Sequence, residues 1–209
     1  MNIPKVRKIR RIYLVSSLSL GVLAPLFCWY MIPDFNPIHR PLSYFGVAEL
    51  TFWYWNISVL LIASGLFMNG YRSIPIYFSN KKQKTFLEIL LGLSFIALCG
   101  VALISMNDYM LHRIAAYTFF LVYNFFVFCF GFIRSLKYVR RGIFSITIGT
   151  LMLLSSLLLL PFPSYGVFEI AYFFLLLLWN THLFYKRIEF EDRVIKQDLL
   201  QLPYTKPNS

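Results

Sequence analysis

Acid is scarce in this chain. Nine Asp and Glu stand against twenty Lys and Arg in 209 residues, a formal net charge of +11. Charged residues of both signs reach only 14%, where soluble domains carry about a quarter. Hydrophobic residues make up 58% and the mean hydropathy is +0.64. Disorder is therefore excluded, because it requires low hydrophobicity. Three cysteines are too few for a disulfide framework. Cys28, Cys99 and Cys129 each fall inside an apolar run and read as small packing residues.

Histidine is equally sparse, with three in the chain. Only His39 and His112 fall on one side of the layout derived below, which excludes a three-histidine zinc site within one subunit. Two histidines with Glu49, Asp108 or Glu169 would lie on the correct side, but no His-x-x-x-His or His-Glu-x-x-His spacing supports them. No Gly-x-Ser-x-Gly elbow is present. No apolar run carries the spaced arginines of a voltage sensor or the mid-membrane acid of a proton-coupled transporter. No metal and no cofactor are expected, and no catalytic residue is assigned.

What the chain has is long apolar runs. A membrane-crossing helix needs about 20 mostly apolar residues. Six stretches qualify, at about 12–32, 50–70, 86–106, 112–133, 142–161 and 166–185. The fold class expected is all-α, a polytopic bundle of six transmembrane helices. A β-barrel strand alternates polar and apolar residues, whereas Leu151–Leu160 and Phe173–Trp179 are apolar on both faces. Residues 1–187 form one transmembrane domain, and 188–209 form a tail, partly an amphipathic helix. Glu189 with Arg193 and Asp192 with Lys196 are acid-then-base pairs at i, i+4, and Ile195, Leu199 and Leu202 form an apolar stripe. The basic start followed by an apolar run resembles a secretory signal, but no small-x-small cleavage site precedes Pro33, so it reads as a retained anchor.

Basic residues alternate by loop. Lys5, Arg7, Lys8, Arg10 and Arg11 precede the first run. Arg72, Lys81, Lys82 and Lys84 follow the second, and Arg134, Lys137, Arg140 and Arg141 follow the fourth. Lys186, Arg187, Arg193, Lys196 and Lys206 follow the sixth. The other face holds only Arg40 and Arg113. The positive-inside rule then places both termini in the cytoplasm of a bacterial inner or plasma membrane. The excess charge reads as topology plus attraction to anionic headgroups, about 1 kcal/mol per basic residue near the surface. No nucleic-acid motif accompanies it. Arg10, Arg11, Lys81, Lys82, Lys84, Arg140, Arg141, Lys186 and Arg187 form a candidate collar for lipid headgroups or a partner. Lys84 and Glu88 are spaced for an interfacial ion pair, and Trp179-Asn180-Thr181-His182 with Tyr185 reads as an aromatic border to this face.

The outer loop from Pro33 to Leu50 is the most distinctive segment. Prolines at 33, 37 and 41 disfavour regular helix. Tyr and Trp at 52–55 mark the interface where the second run begins. Glu49, Trp53 and Asn56, at i, i+4 and i+7, are expected on one helical face. Asn107-Asp108-Tyr109 makes a tight turn between the third and fourth runs. Ala115-Ala116 permits close helix approach there. Asp34, His39, Arg40 and Asn107 join an outer mouth whose candidate ligand-binding residues are Glu49, Trp53, Asn56, Asp108, His112, Arg113 and Glu169. Glu169 is the most informative, because its flanks Gly166-Val167-Phe168 and Ile170-Ala171-Tyr172 are apolar. The competing reading is a structural cap, with Arg40 and Arg113 paired to Glu49, Asp108 or Glu169.

Three short stretches resemble the DRAM-like family of six-span proteins, which includes the damage-regulated autophagy modulators and bacterial members of unknown function. They are Leu42-Ser43-Tyr44-Phe45-Gly46 in the outer loop, His112 with Ala115-Ala116 and Phe119-Phe120 opening the fourth span, and Glu169 ahead of Trp179-Asn180. Tyr44 and Phe45 depart from the acidic or polar residue common there. The resemblance covers about 10–187. It implies six spans with cytoplasmic termini, and a regulatory or lipid-linked role without implying catalysis.

The function expected is non-enzymatic, the binding of membrane lipid or a membrane or cytosolic partner through the outer mouth and the basic face. The first alternative is an enzyme or transporter of a lipid-like substrate at that mouth. The second is a homo-oligomeric pore or effector recruited by a cytosolic complex, and nucleic acid is not expected as a direct ligand.

Overall fold

The computed structural model describes residues 3–137 and 139–201, with side chains described for 7–136, 139–140 and 142–194. Six α-helices follow in order: α1 (Ile3–Met31), α2 (Phe52–Tyr77), α3 (Lys81–Leu103), α4 (Tyr109–Lys137), α5 (Val139–Leu154) and α6 (Gly166–Gln201). Short 3-10 helices cover Leu42–Gly46 and Ser155–Leu159. Among the described residues there is no strand. Six segments are long and apolar enough to cross a membrane: Arg7–Met31, Phe52–Tyr77, Lys81–Leu103, Tyr109–Leu136, Gly142–Leu159 and Gly166–Val194. The expected all-α, six-helix class is what the chain adopts. In hydrocarbon every backbone group must be satisfied within its own segment, which leaves helix as the only choice for runs without alternation.

Successive helices pack side by side, and α6 closes the bundle against α1, α2 and α5. Arg11 near the start of α1 reaches the far end of α6, 2.7 Å from Asp192 and 3.5 Å from Glu191. One end of the bundle therefore gathers the start of α1, the α2–α3 and α4–α5 turns and the end of α6. This is the basic end. The other, the loop end, carries residues 32–51 and the α3–α4 and α5–α6 turns.

Small residues set the closest approach. A Cβ added to Gly142 on α5 would meet Gly131 O on α4, and Ser135 Cβ at 2.6 Å. One added to Gly131 would sit 2.7 Å from Ile146 N and 2.8 Å from Ser145 Cβ. Backbones this close gain van der Waals contact that lipid cannot replace. At the loop end Ala115 does the same for α3, lying 3.2 Å from where a Gly100 Cβ would stand.

The bundle centre is aromatic and contains a polar thread. Tyr123, Phe126 and Phe130 of α4 meet the Trp179 ring edge-on at 6.2, 5.7 and 5.6 Å. Trp179 Nε1 donates to Ser145 Oγ (2.9 Å). Asn180 Nδ2 donates to Tyr123 Oη (2.6 Å) and Leu176 O (2.9 Å). Asn69 Nδ2 donates to Asn180 O (3.0 Å), and Ser73 Oγ to Asn69 O (2.7 Å). Trp179 and Asn180 are thus core residues, not the interfacial border their composition implies. α6 continues well beyond them, so they lie inside the bundle rather than at its rim.

Three further expectations change. α2 does not end near residue 70 but continues to Tyr77. Pro75 sits on an exposed position in the last turn, where its missing N–H costs one bond and little helix remains to interrupt. α2 begins at Phe52, so Glu49 precedes it and shares no helical face with Trp53 and Asn56. Lys84 and Glu88 do not pair. Among the described residues every ion pair within 4 Å joins Arg11, Lys186 or Arg193 to an acid of α6. The Glu189–Arg193 pair forms at 2.7 Å, while Asp192 turns to Arg11. The side chains of Lys196, Ile195, Leu199 and Leu202 lie outside the described residues.

Candidate functional site

At the loop end, residues 32–51 fold back into the bundle. Phe35 and Phe45 are buried against each other, ring centroids 4.3 Å apart, and Phe45 meets the Trp55 ring at 5.4 Å. The prolines forbid a long helix, and a five-residue 3-10 turn, Leu42–Gly46, forms between Pro41 and Val47. The turn is tied on two sides. Thr51 Oγ1 donates to Phe45 O (2.7 Å) and Asn56 Nδ2 to Gly46 O (3.1 Å). From α6, Glu169 Oε2 accepts Leu42 N–H at 2.5 Å, with the Ser43 N–H near the same carboxyl. Ser164 Oγ donates to Pro37 O (3.0 Å). Gly166 presses on Arg40 O and Pro37 O so closely that no Cβ would fit. The loop is a plug, and Glu169 caps its helical turn from a remote helix.

Beneath the plug lies a cavity of about 70 Å³. Pro25, Trp55, Val59, Ile62, Phe119 and Phe173 form much of its wall, with Leu42 and Ser43 above and Glu169 at the side. Every helix except α5 contributes to it. A second cavity of about 50 Å³ adjoins it, sharing Ser43 and Val101. Its wall is more polar, with Asn56, His112, Ser105 and Ser43 among its residues. His112 is buried, and its Nδ1 lies 2.8 Å from Ile104 O, pinning the start of α4 to the end of α3.

Three candidates therefore converge: Asn56 and His112 on the polar cavity and Glu169 on the apolar one. The others do not. Glu49, Trp53 and Asp108 are exposed. Arg113 sits in a tyrosine cluster, donating to Tyr109 Oη (3.1 Å), Tyr117 Oη (2.8 Å) and Tyr165 Oη (3.3 Å). Tyr117 and Tyr165 hydroxyls are 2.6 Å apart. That bond, with partial burial, holds the Tyr165 phenol above its ordinary pKa. Arg40 stacks over the Tyr44 ring at 4.6 Å. The expected cap of salt bridges is not what closes this end. Neither arginine pairs with an acid among the described residues, because aromatic faces and phenol oxygens take their charge instead. His39 is exposed, and no three metal-ligating side chains converge among the described residues.

Ser43 and Trp55 are cavity residues that sequence reasoning did not select. Ser43 lies in a stretch already singled out, but its wall position depends on the plug folding inward.

At the basic end the collar is uneven. Arg10, Lys81, Lys82 and Arg140 are exposed, Arg11, Lys84 and Lys186 are half-buried, and Arg187 is buried. The side chain of Arg141 lies outside the described residues.

These features are those of a multi-pass integral membrane protein whose loop-end plug covers a cavity among its apolar helices. Residues 17–185 match the model of a family described as "Protein of unknown function (DUF998)". The chain belongs to that family. Comparison with curated proteins and with solved structures gave no match. The family match supports the membrane class and does not extend to the DRAM-like relation.

Proposed function

We propose that this protein binds a lipid-like amphiphile from the membrane at its loop end, without chemistry. The observation that carries the reading is the pairing of two adjoining cavities of opposite character. The amphiphile's polar group would hydrogen-bond among Ser43, Asn56 and His112, with the Glu169 carboxyl beside it. Its apolar end would enter the space between Trp55, Ile62 and Phe119. One water-sized probe occupies about 10–15 Å³, so a cavity of about 70 Å³ takes a chain end rather than a whole tail. Ionisable groups at membrane depth are functional candidates by default, and Glu169 is the one that touches the apolar space. The DRAM-like resemblance of 42–46, His112 and Glu169 agrees with a lipid-linked role. The charge asymmetry supports placing the basic end in the cytoplasm, which puts the cavity in the outer leaflet.

A phospholipid carrying a diazirine at the end of one tail tests this. After photolysis, crosslinks should concentrate on peptides containing Trp55–Ile62, Phe119–Phe120 and Phe173. Ile62→Phe, which fills the cavity, should reduce them severalfold while labelling of exposed Leu93 and Ile96 persists. Labelling spread evenly over lipid-facing helices and insensitive to Ile62→Phe would overturn the reading.

A further inference from the structure

The basic end holds a feature that its charge excess does not explain. Arg187 on α6 is only 3% exposed. Its Nε has no hydrogen-bond partner, and no acid pairs with it within 4 Å among the described residues. Other cations surround it: Arg72 of α2 and Arg11 of α1 both lie near enough to oppose its charge. Glu191, the acid near enough to favour it, is also 3.5 Å from Arg11. The Tyr77 hydroxyl near it is buried without a partner, and so is Arg11 Nε. Arg134 of α4 stands over the Tyr77 ring at 4.1 Å.

Three helices thus converge buried, unsatisfied N–H and O–H groups on one patch of positive charge. A buried guanidinium that has no direct ion pair and shares its nearest acid with a second arginine is costly for a protein to hold. Arg10, Lys81, Lys82 and Arg140 of the collar avoid that cost by facing solvent. Arg187 instead is wedged inward, with its guanidinium 5.5 Å from the Phe184 ring centroid. Guanidinium forks match phosphate oxygens in pairs, and a phenol adds a single directed donor.

We propose that Arg187, Tyr77, Arg11 and Arg72 form a binding site for a phosphate group. That group belongs either to an anionic lipid headgroup at the basic face or to a free phosphate compound. The site is independent of the loop-end cavity, at the opposite end of the bundle, and either can fail without the other.

Thermal unfolding of the full chain in a neutral, non-phosphate detergent tests the site. The probes are inorganic phosphate, chloride at matched ionic strength, and mixed micelles of phosphatidylglycerol or phosphatidylcholine. Phosphatidylglycerol should raise the midpoint in a concentration-dependent way, as ligand binding to the native state requires. Arg187→Gln should weaken that response about ten- to a hundredfold, the usual worth of a hydrogen bond to a charged group. Tyr77→Phe should weaken it less, and Lys82→Gln on the exposed collar should leave it intact. Arg187→Gln should also unfold at a higher temperature than the parent when no phosphate is added, since it removes a buried charge whose nearest acid is shared with Arg11. A response to inorganic phosphate identifies a free anion as sufficient, and a response to phosphatidylglycerol alone identifies the headgroup. Equal responses in the parent and Arg187→Gln, or none in the parent, overturn the site. Tyr77→Phe keeps the test decisive if Arg187→Gln does not fold.

Discussion

Removing the Glu169 carboxyl should loosen the plug rather than the bundle. In Glu169→Ala the Leu42 N–H loses its acceptor, and the Ser43 N–H loses the carboxylate beside it. Leu42 itself is buried, so water does not readily replace the carboxylate. Each orphaned donor costs about 1–3 kcal/mol, and the loss of a helix cap alone costs about 0.5–2 kcal/mol. About 2 kcal/mol of lost local stability is a conservative sum. Each 1.36 kcal/mol is a factor of about ten, so amide exchange at residues 42–46 should quicken about thirtyfold. Exchange in the middle of α3 and α4 should stay unchanged, because local openings need not involve the core. Glu169→Gln keeps an oxygen of the same reach and loses only the charge assistance, so its effect should be several times smaller. Hydrogen–deuterium exchange with peptide-level mass spectrometry, in detergent and in nanodiscs, reads both variants. If Glu169→Ala exchanges at the parent rate over 42–46, the carboxyl is not what orders the plug. If the whole protein exchanges faster, Glu169 supports the bundle and the local account fails.

Two other outcomes follow from the packing and the charge pattern. Gly142→Leu should push α5 off α4, since even a Cβ there meets Gly131 O and Ser135. Overpacking of this kind costs about 1–3 kcal/mol, and thermal unfolding in detergent should fall accordingly, while Gly92→Ala, which meets nothing within 4 Å, should not. For orientation, single cysteines replacing Leu50 and Ser79 in a chain with Cys28, Cys99 and Cys129 changed to Ala should react from opposite sides. An impermeant maleimide applied to intact cells should label the Leu50 position and spare the Ser79 position, and the reverse pattern would invert the assignment made from the basic loops.

The membrane class was legible because it depends on a sum. Twenty apolar residues in a row signal a span whatever their neighbours are, and each of the six stretches overlaps an observed segment. The second apolar run stops near residue 70, yet its helix continues to Tyr77 through Pro75. In the final turn of an already formed helix it interrupts little. Trp179 and Asn180 misled for a different reason. An aromatic, an amide and a nearby basic pair have the same composition at an interface and in a polar thread through a bundle core. Only the partners, Ser145, Tyr123 and Asn69, separate the two, and those lie 34, 57 and 111 residues away. The salt-bridge cap failed for another reason, since Arg113 has Tyr109 and Tyr117 four residues to either side and these, with Tyr165, bind it in place of Asp108.

Glu169 was legible as an anomaly and illegible as a mechanism. Its apolar flanks mark it, but its partners are backbone N–H groups, which every residue carries and no sequence pattern reveals. That choice of partner has a consequence for binding. The carboxyl that caps Leu42 also lines the cavity, so a ligand group that hydrogen-bonds Glu169 competes with the plug for the same oxygens. A ligand that bonds Ser43 or Asn56 instead adds to the plug's ties. The two cases move exchange at 42–46 in opposite directions when the cavity fills. For the amphiphile proposed above, plug order would therefore report which of its faces meets the carboxyl.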